Sequence, residues 1–135
     1  MCSRWRQESV TVTAIVNTSM QIQEERQGDV QIITIDDHLD TSTATLFEAR
    51  LLGMIDRGTR RILLDCTALS YVNSAGLKVL LLATKKLEPF HGELILCSLS
   101  QNVLMIFEMI GFTRIMKIVP DRETALKLFT QLPVS

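Results

Sequence analysis

The segment from Arg61 to Leu82 constrains the fold more than any other part of this 135-residue chain. Ile62, Leu63 and Leu64 form a short apolar run closed by Asp65, the composition of a strand buried on both faces, as in parallel sheets. A polar loop follows. After Asn73-Ser74-Ala75-Gly76, the run Leu77 to Leu87 is apolar except for Lys78, Thr84, Lys85 and Lys86, and Pro89 stops it. This is the pattern of a largely buried helix, so Ser74 falls where that helix begins. The first backbone N–H groups of a helix lack intrahelical partners and carry the positive end of its dipole, so a hydroxyl there can cap them. A phosphate there is favoured more strongly. Spacing alone leaves two uses open: a plain N-cap shared between Asn73 and Ser74, or a phosphoacceptor.

The flanking sequence repeats the strand–helix alternation. Met20 to Glu24 and Val30 to Ile35 are strand candidates joined by the turn Gln27-Gly28-Asp29, which together read as a hairpin. Asp40-Thr41-Ser42-Thr43 offers several N-caps to a helix running to Asp56, with Phe47, Leu51, Met54 and Ile55 on one face and Gly58 beyond its end. Glu93 to Cys97 is a third central strand. Ser98 or Ser100 caps a helix through Ile110, ended by Gly111. Ile115 to Val119 is a last extended segment, and Asp121 to Leu132 is an amphipathic helix with Ala125, Leu128 and Phe129 inward. The pattern predicts a single α/β domain: a mixed sheet of about four to six strands, opened by an N-terminal hairpin and covered by about four helices. Sites in such sheets gather beyond the C-terminal ends of parallel strands, and Ser74 follows such an end.

Several function classes are disfavoured. A net charge of −1 gives no general attraction to nucleic acid, and Arg57, Arg60 and Arg61 read as solvated element ends. Three cysteines, Cys2, Cys66 and Cys97, have no metal-ligand spacing and point to a reduced, cytoplasmic setting, the last two as small buried hydrophobes. The stretch Val10 to Val16 behind Arg4 and Arg6 is too short and too interrupted by threonine for a signal peptide, and no run reaches the length of a membrane span. A hydrolase built on Ser74 with His38 or His91 lacks the glycine two residues before the nucleophile, where Val72 stands. No Gly-rich phosphate loop is present, and Asp36, Asp37 and Asp40 are explained by a turn and a helix cap. The expectation is a binding module, not an enzyme, without cofactor or metal.

Val103 to Ile110 has Glu108 as its only charge. Leu104, Phe107 and Ile110 make one natural core stripe, leaving Val103, Met105, Ile106 and Met109 for neighbours or for a partner protein. Tyr71 reads either as a core-facing loop aromatic or as the border of the Ser74 surface. Lys78 lies one turn beyond Ser74, near enough to approach a phosphate, with a solvated lysine the simpler reading.

Asp65, the loop after it and Asn73-Ser74-Ala75-Gly76-Leu77 resemble the signature of the STAS domain of bacterial anti-sigma-factor antagonists, as do Leu39-Asp40 before the first helix and Gly111-Phe112 after the third. The resemblance runs from about Met20 to the C-terminus. Residues 1–19 form an extension outside it, compatible with an added edge strand through Val10, Val12 and Ala14, and Met20 is a candidate start. Two positions depart from the family pattern: Asn73 stands where aspartate is usual, and Asp37 stands near a usual glycine. The resemblance implies that Ser74 is a regulatory phosphorylation site within a switch loop of Asp65, Asn73, Ala75 and Gly76. The docking surface it implies includes Asp37, His38, Asp40, Tyr71, Lys78, Met105 and Met109. The implied partners are an anti-sigma factor that is also a serine kinase, and a serine phosphatase; a homodimer is left open. The alternative in the same family is a subunit of a lipid-transport complex, or a small-ligand-binding regulatory domain, without serine phosphorylation.

Overall fold

The computed structural model describes residues 22–131; the extension and its expected edge strand lie outside them. β1 (Ile22–Gln27) and β2 (Val30–Ile35) form the expected antiparallel hairpin, turned at Gly28, whose φ of 65° suits glycine. From β2 onward the sheet is parallel through β4 (Arg61–Asp65), β6 (Glu93–Cys97) and the short β7 (Lys117–Val119). These five strands lie in the order β1-β2-β4-β6-β7. Two further strands, β3 (Asp37–Leu39) and β5 (Leu69–Val72), stand apart from them as a second, two-stranded parallel sheet. Four helices complete the fold: α1 (Thr41–Asp56), α2 (Ser74–Leu87), α3 (Gln101–Met109) and α4 (Arg122–Gln131).

The central strands are largely apolar because both faces are covered, and alternate residues feed two separate cores. Ile33, Ile35, Ile62, Leu64, Leu94 and Leu96 point to the larger core, where Phe47, Leu51, Met54 and Ile55 of α1, Leu80 and Ala83 of α2, and Phe107 of α3 pack. Val30, Ile32, Leu63, Ile95 and Cys97 point to the opposite face, covered by Ala125 and Phe129 of α4. Leu128 is only partly buried.

The structure corrects the sequence reading in three places. The supposed polar loop after Asp65 contains the strand β5, paired with β3. Leu69, Val72 and Leu39 are buried there, so the small sheet is a lid of the main core and not a solvent loop. The buried stripe of α3 is set by Val103 and Phe107, while Ile110 is 47% exposed. Ser100 caps the helix through a hydrogen bond from the Val103 amide, and the helix ends at Met109 with Ile110 as its C-cap. Finally, the chain beyond Gly111 makes a 3-10 turn, Phe112–Arg114, before β7 begins.

Candidate functional site

β3 and β5 run side by side and deliver α1 and α2 from the same end. Leu39 and Val72 are register partners, and the Asn73 N–H donates to the Leu39 carbonyl at 3.1 Å. The two helix starts are therefore neighbours, and the Asn73 side-chain amide donates to the Thr41 hydroxyl at 3.2 Å. At the head of α1, Asp40 accepts from the Ser42 amide at 2.9 Å and the Ser42 hydroxyl at 2.7 Å, while the Thr43 hydroxyl accepts from the Asp40 N–H. This is a capping box with threonine in the third position. The Ser42 hydroxyl bond, helped by backbone N–H groups against a smaller opposing effect of burial, holds the Asp40 carboxyl below its ordinary value.

At the head of α2 the cap is Asn73 alone. Its Oδ1 accepts from the Ala75 amide at 3.0 Å and the Gly76 amide at 3.3 Å, and its carbonyl accepts the Leu77 N–H at 3.0 Å. Ser74, the first helical residue, is exposed. Its hydroxyl makes no hydrogen bond among the described residues, so it does not share the cap. Gly76 is required by contact: a Cβ there would lie 2.7 Å from Leu39 Cγ and 2.8 Å from the Leu39 carbonyl oxygen. The helix start is thereby pressed onto the small sheet and Ser74 is presented outward.

The rim around this point is polar and aromatic. Asp37 adopts φ 65° at the irregular start of β3, a left-handed conformation that aspartate tolerates better than most residues, and its carbonyl accepts the Ser70 hydroxyl. Its carboxylate lies 2.6 Å from His38 Nδ1, and the His38 ring is 6.0 Å from the ring of Tyr71. Tyr71 is 45% exposed, which excludes a core role. Lys78 is exposed one turn along α2.

Thus Asp37, His38, Asp40, Tyr71, Asn73, Ala75 and Gly76 gather where β3 and β5 meet α1 and α2. Met105 and Met109 are exposed at 53% and 79% on α3, which packs against β5. Asp65 is engaged elsewhere: its Oδ1 accepts from the Thr67 hydroxyl at 2.6 Å and the Thr67 amide at 3.0 Å, and its Oδ2 from Arg122 Nη2 at 2.8 Å and Nε at 3.3 Å. Arg122 also donates to Glu25 on β1 at 3.0 Å. Burial of Asp65 works to raise its carboxyl, but the Thr67 and Arg122 hydrogen bonds prevail and leave it below the usual range. Burial pushes the thiols of Cys66 and Cys97 up, as expected of small core residues. Thr41 lay within the recognised cap cluster, but Arg122, Glu25 and Thr67 carried no signal in the sequence, since their roles depend on the tertiary placement of Asp65.

Comparison with known proteins matches residues 21–125 to the protein-family model described as the STAS domain. BtrV of Bordetella bronchiseptica, named for a proposed role as an anti-sigma factor antagonist, is 42% identical over 96 residues, covering 70% of this chain and 83% of BtrV. Among solved structures, the unphosphorylated form of the anti-sigma factor antagonist SpoIIAA superposes with a TM-score of 0.65 at 20% identity, covering 82% of this chain and 97% of that one. The phosphorylated form of SpoIIAA from Bacillus gives 0.64 at 22% identity, with 79% and 98% covered. No helix among the described residues is long and apolar enough to cross a membrane.

Proposed function

The chain belongs to the STAS domain family, and from that premise we propose that it is a cytoplasmic anti-sigma factor antagonist whose docking is switched by phosphorylation of Ser74. One observation carries the reading: Ser74 is exposed at the first position of α2, with its hydroxyl unengaged among the described residues and its neighbours held by the Asn73 cap. BtrV carries an antagonist's name and SpoIIAA is an antagonist that exists in both forms, which supports the same reading.

Unphosphorylated, the surface of Asp37, His38, Asp40, Tyr71, Lys78 and Ser74, extended by Met105 and Met109, docks on an anti-sigma factor and releases the sigma factor it held. The anti-sigma factor acts in turn as a serine kinase. The Ser74 oxygen attacks the γ-phosphorus of ATP, the bond to the bridging oxygen breaks with its electron pair going to ADP, and the hydroxyl proton passes to a base of the kinase. A serine phosphatase reverses the step by hydrolysis. Phosphate adds close to two negative charges at the middle of the docking surface, and desolvating that charge against a partner costs enough to end the complex. The helix start accommodates the new charge without refolding, so the switch is local electrostatics.

The test is incubation with ATP and the cognate anti-sigma factor, followed by peptide mass spectrometry and binding measurements. Phosphate is expected on Ser74 and nowhere in a Ser74→Ala chain. Ser74→Ala should retain partner affinity and Ser74→Asp should lose about tenfold or more; equal affinity of the two variants refutes the switch.

A further inference from the structure

The two neighbouring helix starts are capped by different chemistry. α1 is capped by a carboxylate, Asp40, and α2 by a neutral amide, Asn73. Asn73 Oδ1 holds the Ala75 and Gly76 N–H groups at 3.0 and 3.3 Å, and those are the backbone donors that follow Ser74 directly in the first turn. Its other end, Nδ2, is tied to the Thr41 hydroxyl.

A neutral acceptor holds amide donors weakly compared with an ionised one, because charge-assisted hydrogen bonds are about twice as strong. A phosphate ester on Ser74 carries close to two negative charges and three acceptor oxygens, tethered one residue from the first of these donors. A carboxylate in place of the amide would both retain the donors and repel the phosphate. Resting on the reading of Ser74 as phosphoacceptor, we propose that Asn73 is an exchangeable cap. It closes the head of α2 in the unmodified chain and yields the Ala75 and Gly76 N–H groups to the phosphate dianion, staying anchored to Thr41. Asn73 thereby sets how stable the phosphorylated state is. Other titratable side chains near the head of α2 are Asp40 at the head of α1, Asp37 and His38 on β3, Tyr71 on β5 and Lys78 on α2. Asp40 is already satisfied by Ser42, and these groups are common to every variant compared below.

The experiment installs phosphoserine at position 74 during translation and follows the phosphorus resonance and the backbone amide resonances from pH 4 to 8. In the chain with Asn73, the Ala75 and Gly76 amide protons are expected to move downfield together with phosphoryl ionisation. Asn73→Asp should raise the phosphoryl midpoint by about half to one pH unit, the size of one added like charge near the surface, and should blunt the amide response. Aspartate is as good an N-cap as asparagine, so the fold is retained. Asn73→Ser, a neutral cap, should keep the original midpoint. If Asn73→Asp leaves the midpoint where it was, the cap does not set the phosphate's stability and the proposal is overturned. Silent Ala75 and Gly76 amides in the chain with Asn73 would overturn the exchange itself, leaving repulsion alone. Because phosphoserine is placed without a kinase, failure of any kinase to modify Ser74 would sink the functional reading without touching this measurement.

Discussion

Arg122→Met isolates the energetics of the one buried charged side chain among the described residues, Asp65, which is 7% exposed. The substitution keeps most of the aliphatic stem and removes two hydrogen bonds to Asp65 and one to Glu25. Breaking a fully buried ion pair costs about 3–5 kcal/mol. Here the Arg122 side chain is 35% exposed and the two Thr67 bonds remain, so the loss is reduced to about 2 kcal/mol, nearer the range of a single charged hydrogen bond. Glu25 is exposed and its contact adds a few tenths at most, screened by salt. The direction with pH follows from the lowered Asp65 carboxyl. Its stabilising contribution is complete above the unfolded carboxylate range near pH 4 and is lost as pH falls through the lower folded value. Without Arg122 two of the effects that lower the carboxyl, its hydrogen bonds and its charge, are gone, so the carboxyl titrates higher than in the parent chain. The difference between the two chains is therefore greatest at neutral pH and shrinks in acid, as both carboxyls become protonated. Urea unfolding followed by circular dichroism at pH 7 and pH 3 measures it, and a double-mutant cycle with Asp65→Asn separates the pair from stem packing. A loss that is equal at both pH values, or a coupling near zero, refutes the electrostatic account.

Two other perturbations are sharply defined. Gly76→Ala should destabilise the domain by about 1–3 kcal/mol in urea unfolding, because the new methyl meets the Leu39 carbonyl as well as movable side chains; a neutral result would mean that the head of α2 can lift off the small sheet. In a Cys2→Ser chain, Cys66 and Cys97 should resist a disulfide reagent at pH 8 in the native state and both react in urea, since both are buried and burial disfavours their thiolates; rapid native labelling would show that this part of the sheet opens.

Legibility in the sequence followed the range of the interactions involved. β4, α2 and β6 were readable because apolar runs, a cap and a proline are all local signals. β5 was not: Leu69-Ser70-Tyr71-Val72 has its two apolar residues at the ends, without alternation, and it is a strand only because β3 lies beside it. The α3 face was misphased because apolar residues stand on every side of Val103 to Ile110, so the sequence offers several stripes and tertiary packing selects Val103 and Phe107. Ser74 was placed at the helix start from spacing, yet its freedom from capping depended on Asn73 taking both amides, which no pattern of residue types decides. The pairing of Asp65 with Arg122 spans 57 positions and leaves no trace in either segment.

The distribution of helices also bears on what a shortened chain exposes. Three helices that share one core are interleaved with the strands they cover, whereas the opposite face, with Val30, Ile32, Leu63 and Ile95, is covered among the described residues by α4. A chain cut before α4 would lose the Ala125 and Phe129 side chains that pack on that face, leaving apolar surface of the kind that makes incompletely folded chains prone to aggregate.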